Sequence, residues 1–171
     1  MREIVVRDET DSDHLAVCEV HEAAFGQPSE AELVESLRVA AFPQISLVAE
    51  FAGELVGHVF LSPVRIEGKR PKGACAGLAP VGVTPSAQGQ GIGSALIREA
   101  LARCPAIGWL TVFLLGAPAY YARFGFVLAA PLGLRYESEL FDSHFQVLEL
   151  EPGSLSGARG WVRFHGAFSE L

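Results

Sequence analysis

Gln88, Gly89, Gln90, Gly91, Ile92, Gly93 and Ser94 lie between an apolar stretch, LAPVGVTPSA, and a helical pattern, SALIREALAR. Glycines at alternate positions let several main-chain N–H groups point into one pocket, because no side chain obstructs the approach. The helix that follows adds the partial positive charge of its first turn. Such a backbone can hold an anion, and a diphosphate fits it. A ligand-free strand-to-helix turn is the alternative that the hexapeptide alone leaves open. Two other phosphate loops do not match. A Walker A loop ends in Gly-Lys-Ser/Thr, and no lysine is present here. The Rossmann G-x-G-x-x-G, started from Gly89, meets Ser94 where its third glycine belongs, and the preceding βαβ context is missing. What remains is Q-x-x-G-x-G, carried by Gln88, Gly91 and Gly93.

The elements that would position this loop follow from pattern. REIVVR (Arg2–Arg7) is a β-branched run and predicts a first strand. DETDSD supplies N-cap chemistry for a helix through about Phe25, with Leu15, Ala16, Val20, Ala23 and Ala24 as its apolar stripe. GQPSE breaks that helix. Ser29 followed by Glu32 resembles a capping box for a second helix to about Val39. QISLVAEF and LVGHVFLSPVRI predict two strands joined by a tight turn at AGE. The nearly uncharged ACAGLAPVGV (Ala74–Val83) predicts a strand inside a sheet. The helix after the loop should bury Ala95, Leu96, Ala100 and Leu101. IGWLTVFLL is a further strand, APAYYARF a short helix, and Gly125 its left-handed stop. Strands are expected near Phe145–Leu150 and Trp161–His165. The order β-α-α-β-β-β-α-β-α-β-β indicates mixed α/β with one central sheet.

Composition narrows the function. The chain has 171 residues, half of them hydrophobic, and is expected to form a single domain, residues 1–171. A net charge of −7 argues against a general nucleic-acid binder, which needs a cationic face. No apolar run reaches the roughly 18–20 residues that span a bilayer, and the N-terminus lacks signal-peptide design. A cytoplasmic protein without membrane attachment is expected. Cys18, Cys75 and Cys104 show no metal-site or disulfide spacing and read as free thiols.

Q-x-x-G-x-G after the apolar Val81, Val83 and Pro85 resembles the acetyl-CoA-binding motif of the GNAT superfamily of N-acetyltransferases. PAYYARFGF (Pro118–Phe126) resembles its Y-x-x-x-G-F segment. REIVVRDETDSDHLAVCEVHEAAFG, SLVAEFAGELVGHVFLSPV and LEPGSLSGARGWVRFHGAF resemble the YhbS-like branch, so the likeness covers almost the whole chain. It implies a GNAT-like α/β (α+β) fold: a central mixed, mostly antiparallel, splayed sheet flanked by helices. It also implies acetyl-CoA as cosubstrate with no metal. The pantetheine arm would pair with the main chain of Val81, Gly82 and Val83. The diphosphate would sit against the amides of Gln88, Gly89, Gln90, Gly91, Ile92, Gly93 and Ser94. Tyr121, in the motif's tyrosine position, would protonate the departing thiolate as general acid; Tyr120 is read as packing or coenzyme contact. Some relatives place an asparagine at the start of this helix, where this chain has Gly116–Pro118. No acid stands on the coenzyme strand, so the general base is unassigned; His58 and Glu50 are the candidates on neighbouring strands, beside a water relay or an amine that arrives deprotonated. Glu30, Glu32 and Glu35 read as a solvated helix face.

The function implied is direct acetyl transfer to a primary amine, of a small molecule or a peptide or protein, by a monomer or homodimer. A non-catalytic acyl-CoA-binding sensor or interaction module of the same fold is the alternative. A nucleotide-binding domain is a third, and it would favour ATP or NAD over coenzyme A.

Overall fold

A computed structural model describes residues 3–170. The chain forms two compact units, one of Met1–Ser62, Ala79–Arg103 and Gly166–Leu171, the other of Pro63–Leu78 and Cys104–His165.

The first unit opens with strand β1 (Ile4–Asp8), a 3-10 turn (Asp11–Asp13) and helix α1 (His14–Phe25). Helix α2 (Ser29–Ala40) and strand β2 (Ile45–Phe51) follow. The unit is completed by the first part of β3 (Glu54–Lys69), the end of β4 (Ala74–Val83) and most of α3 (Ile92–Ile107). β2 lies between β1 and β3 and is antiparallel to both. Ala52 and Gly53, both at positive φ (54° and 80°), make the tight turn between β2 and β3, the geometry that matches strand twist in two-residue hairpins. Val17, Leu33, Val34, Leu37, Val48 and Phe60 form one core. Leu37 is fully buried, and truncating such a side chain to alanine typically costs about 2–5 kcal/mol.

Two local expectations are corrected here. The buried side of α1 is Val17, Val20 and His21, whereas Leu15 is 73% exposed and Ala23 is also exposed. The true face follows the i, i+4 line from Asp13 through Val17 to His21, and a stripe drawn from apolar residue types alone passes beside it. Ser29 is the first helical residue of α2, and Pro28 is the N-cap without a side-chain cap bond. The reciprocal cap stands upstream instead, where the Thr10 main-chain N–H donates to the Asp13 carboxylate at 2.7 Å. Arg2, the expected start of β1, lies outside the described residues. On α3, Leu96, Ala100 and Leu101 are buried as expected, Ala95 only in part, and Ile92, Ile97 and Cys104 are buried as well.

The second unit holds the rest of β3 and β4, then β5 (Trp109–Leu115), helix α4 (Pro118–Tyr121) and a 3-10 turn (Ala122–Phe124). Gly125, at φ 99°, ends that helical segment. Strands β6 (Val127–Leu128), β7 (Leu134–Arg135), β8 (Phe145–Glu149) and β9 (Arg159–Arg163) complete it. β5 runs parallel to β4 and antiparallel to β8, β6 pairs with β8, and β9 pairs with β3 and β7. Phe113, Phe145, Val147, Leu134 and Val162 centre its core, with the Phe113 and Phe145 rings stacked at 5.6 Å.

β4 lies between β3 and β5, the interior position that its uncharged sequence requires. β1–β2, β2–β3, β3–β9, β5–β8 and β6–β8 are antiparallel, and β4–β5 and β7–β9 are parallel. This is a mixed, mostly antiparallel open sheet flanked by helices, as expected. No helix among the described residues is long and apolar enough to cross a membrane. Among the described residues, Cys18, Cys75 and Cys104 form no disulfide.

Candidate active site

β4 pairs with β5 only from Ala74 to Gly77, so Leu78–Val83 extends beyond the last residue of that pairing. Gly82 is buried, and Val81 and Val83 are half-buried. The Thr84 N–H donates to the Val56 main-chain oxygen at 2.8 Å, and a 3-10 turn (Pro85–Ala87) leads the chain into the glycine loop. Gln88 turns its side chain back and donates from Nε2 to the Val83 main-chain oxygen at 3.0 Å. Gly89 and Gly91 hold φ of 76° and 84°, a region L side chains rarely enter. A Cβ added at either would meet nothing within 4 Å. Space and an accessible main chain therefore coincide immediately before α3, whose first turn carries the positive end of the helix dipole. Residues 88–91 are exposed, and Gly93 and Ser94 are half-buried. Ile92 is 1% exposed with its side chain in the core, so only its main chain faces the loop.

Behind β4, the first unit carries a line of buried polar groups. His21 of α1 and His58 of β3 are both fully buried. His21 Nε2 lies 2.8 Å from His58 Nδ1, and His58 Nε2 lies 2.8 Å from Ser46 Oγ. Ser46 Oγ donates to Glu9 Oε2. Arg38 donates to Glu9 Oε1 at 2.5 Å, and His14 Nε2 stands 3.7 Å from that oxygen. Burial alone would raise the Glu9 carboxyl. Its approach to His58 and the hydrogen bonds from Ser46 and Arg38 outweigh burial and bring it down to about 2. Burial, reinforced by His58 and Arg38 against the pull of Glu9, brings His21 down to about 3. Burial also lowers His58, although the Glu9 contact opposes it. Both rings are neutral at pH 7 and the carboxylate is charged. His21 and Glu9 were invisible to pattern reading, since a histidine on a helix and an acid in a polar run carry no periodic signal. Glu50, the other base candidate, is 36% exposed and accepts from Arg7 at 3.1 Å.

Tyr121 belongs to the second unit. Its ring meets Tyr120, Phe126 and Phe124 at 4.9, 6.0 and 6.2 Å between centroids. Burial, with a smaller contribution from Tyr120, pushes the phenol up to about 12, so it stays protonated. A Cβ added at Gly116 would stand 2.5 Å from Tyr121 Cε2. The Gly116 main chain is itself fixed, its N–H donating to the His144 oxygen at 3.0 Å and its oxygen accepting from Gln146 Nε2 at 2.9 Å. The chain thus has glycine where the Tyr121 ring needs room. Tyr120 carries the Arg123 guanidinium 4.2 Å above its ring.

Comparison with known proteins places the chain in a family. Residues 5–129 match the acetyltransferase (GNAT) domain family. The uncharacterized N-acetyltransferase YhbS of Escherichia coli (strain K12) is 37% identical over 149 residues, 86% of this chain and 88% of its own length. The uncharacterized N-acetyltransferase YjhQ of the same strain is 39% identical over 117 residues, 67% of this chain and 65% of its own. Among solved structures, Escherichia coli YhbS in complex with CoA superposes with a TM-score of 0.91 at 33% identity, covering 99% of this chain and 93% of that one. A GNAT family acetyltransferase from Brucella melitensis in complex with acetyl-CoA gives 0.77 at 37% identity, with 97% and 98% covered. The chain belongs to the GNAT acetyltransferase family and is an acyltransferase.

Proposed function

We propose that this protein binds acetyl-CoA and transfers the acetyl group directly to a primary amine, the whole chain acting as one N-acetyltransferase domain. One observation carries the reading. The left-handed Gly89 and Gly91 lie in open space at the start of α3, directly after a β4 end that extends beyond its pairing with β5. These are the two features a diphosphate and an extended pantetheine arm require, anion donors and free strand main chain. The relatives solved with CoA and with acetyl-CoA support the same assignment. In this reading Val81, Gly82 and Val83 pair with the arm. The main chain of residues 88–94 receives the diphosphate, and Gln88 keeps the loop closed on Val83. Acetyl-CoA supplies the activated thioester. Tyr121, protonated at neutral pH, donates its phenol proton to the departing sulfur.

Thiol release from acetyl-CoA with a panel of small primary amines tests the reading. Transfer to at least one amine is expected, with Tyr121→Phe lowering kcat at least tenfold and leaving the acetyl-CoA KM within twofold. Tight acetyl-CoA binding without transfer to any amine would make the protein a binding module, and wild-type kcat in Tyr121→Phe would remove the phenol from the mechanism.

A further inference from the structure

We propose that His21 is the proton acceptor for the incoming amine, with His58, Ser46 and Glu9 as positioning residues that fix its ring and drain the proton. The proposal rests on the acetyl-transfer reading above. β4 itself offers no acid or imidazole, since Ala74–Val83 reads ACAGLAPVGV. The space of one of its side chains is nonetheless filled by an imidazole. A Cβ built on Gly82 would lie 2.9 Å from His21 Nδ1 and 3.2 Å from its Cε1. Helix α1 thus delivers a ring to the place that residue 82 leaves vacant, between the two valines whose main chain takes the coenzyme arm in this reading.

The hydrogen bonds fix which nitrogen is bare. Ionised Glu9 only accepts, so the single Ser46 proton goes to its Oε2. Ser46 Oγ must then accept from His58 Nε2–H. A neutral His58 is left with a bare Nδ1, which accepts from His21 Nε2–H at 2.8 Å. A neutral His21 consequently carries its lone pair on Nδ1, a fully buried atom with no hydrogen-bond partner among the described residues. Buried polar atoms are rarely left so, and every donor in the line points toward Glu9. The line is a set of switchable donors ending in one unused acceptor, directed at the coenzyme strand.

The chemistry balances. As the amine nitrogen bonds to the thioester carbonyl carbon, its proton passes to His21 Nδ1. His21 releases its Nε2 proton to His58 Nδ1, His58 releases its own to Ser46, and Ser46 releases its proton to Glu9. The half-exposed His14, 3.7 Å from Glu9 Oε1, opens that end to solvent. The C–S electron pair leaves on sulfur, which takes the Tyr121 phenol proton, and the phenolate regains one from solvent. Amine and thioester become amide and thiol. The groups that set the proton affinity of His21 are His58 on β3, Glu9 beyond it and Arg38 from α2; Ser46 and His14 stand against His58 and Glu9. Burial, His58 and Arg38 oppose protonation, and the negative Glu9 favours it.

Two measurements test this. Long-range proton–nitrogen NMR on labelled protein with CoA bound reads each ring nitrogen without needing an acceptor. His21 Nδ1 and His58 Nδ1 are expected bare at pH 7, and a proton on His21 Nδ1 overturns the proposal. Thiol release from acetyl-CoA with glycinamide, benzylamine and putrescine then reads transfer. His21→Gln is expected to lower kcat about 100-fold or more, with the acetyl-CoA KM within twofold. In His21→Gly, added imidazole restores turnover, and pyrazole, a ring of the same size and far weaker base, does not. Equal rescue by pyrazole makes His21 a space-filler, and wild-type kcat in His21→Gln removes it from catalysis; either overturns the proposal. If wild-type protein acetylates none of the amines while His21 Nδ1 is bare, the functional reading fails and takes the proton step with it, and the tautomer line stands.

Discussion

Gln88 donates from Nε2 to the Val83 main-chain oxygen at 3.0 Å, tying the end of β4 to the loop that precedes α3. The bond joins the two stretches that the proposed coenzyme site uses, strand main chain and loop amides, and fixes their spacing without occupying the loop's own N–H groups. Gln88→Ala removes one hydrogen bond, a net loss of about 1 kcal/mol. The acetyl-CoA KM should rise about fivefold with kcat within twofold, as steady-state kinetics will show. An unchanged KM would mean that the bond does not shape the site.

Gly91 sits at φ 84° with open space beside it. In Gly91→Val the added Cβ meets nothing within 4 Å, and the cost is backbone strain of about 1–2 kcal/mol with a side chain standing where the anion would lie. Calorimetric CoA affinity should fall at least tenfold, with a loss of only a few degrees in Tm. Unchanged affinity would move the anion site elsewhere.

Gly116→Asn introduces a side chain whose Cβ would overlap Tyr121 Cε2 at 2.5 Å. The backbone at Gly116 is held on both sides by His144 and Gln146, so the phenol ring must move. Turnover should drop at least tenfold with a near-constant acetyl-CoA KM. Wild-type turnover would show that the ring position is not needed.

The buried histidines make stability depend on pH. Their folded-state values are depressed below the ordinary 6.5, so the unfolded chain binds more protons as pH falls. The stability they allow is present above about pH 6.5 and is lost below it, at about 1.4 kcal/mol per pH unit for His21 until the pH nears its folded value; His58 adds a loss of the same sign. Glu9, depressed to about 2 from 4.5, adds a second loss as pH falls below its ordinary value. Urea unfolding at pH 7.5 and pH 5.0 should differ by about 2 kcal/mol from His21 alone, with His58 acting in the same direction, and His21→Phe should lose its share of that difference. A pH-independent unfolding free energy over this range would contradict the neutral, buried pair.

Much of the fold was legible because its signals are local. β4 is an uncharged run, the β2–β3 turn is a two-residue gap, and Gly125 follows a short helical pattern; all three lie where pattern placed them. The strands β6 and β7 were missed, since each is only two residues long and has no periodicity to read. The glycine loop could be read as an anion cradle, because φ preference and absent side chains belong to residue type. The line from His21 to Glu9 could not. Its members come from α1, β3, β2 and the residue that follows β1, and only the folded chain brings them together. Hydrophobicity also hid His21, which occupies a core position on α1 that an apolar residue would normally take.

The central claim, that main-chain donors of the loop hold the coenzyme diphosphate, is tested most directly by amide NMR of labelled protein titrated with CoA and, separately, with pantetheine, which lacks the diphosphate. The Gly89, Gly91 and Gly93 amides should shift strongly with CoA and hardly at all with pantetheine, while Val81–Val83 respond to both. If the three glycine amides stay in place with CoA at saturation, or move equally with pantetheine, the claim is contradicted.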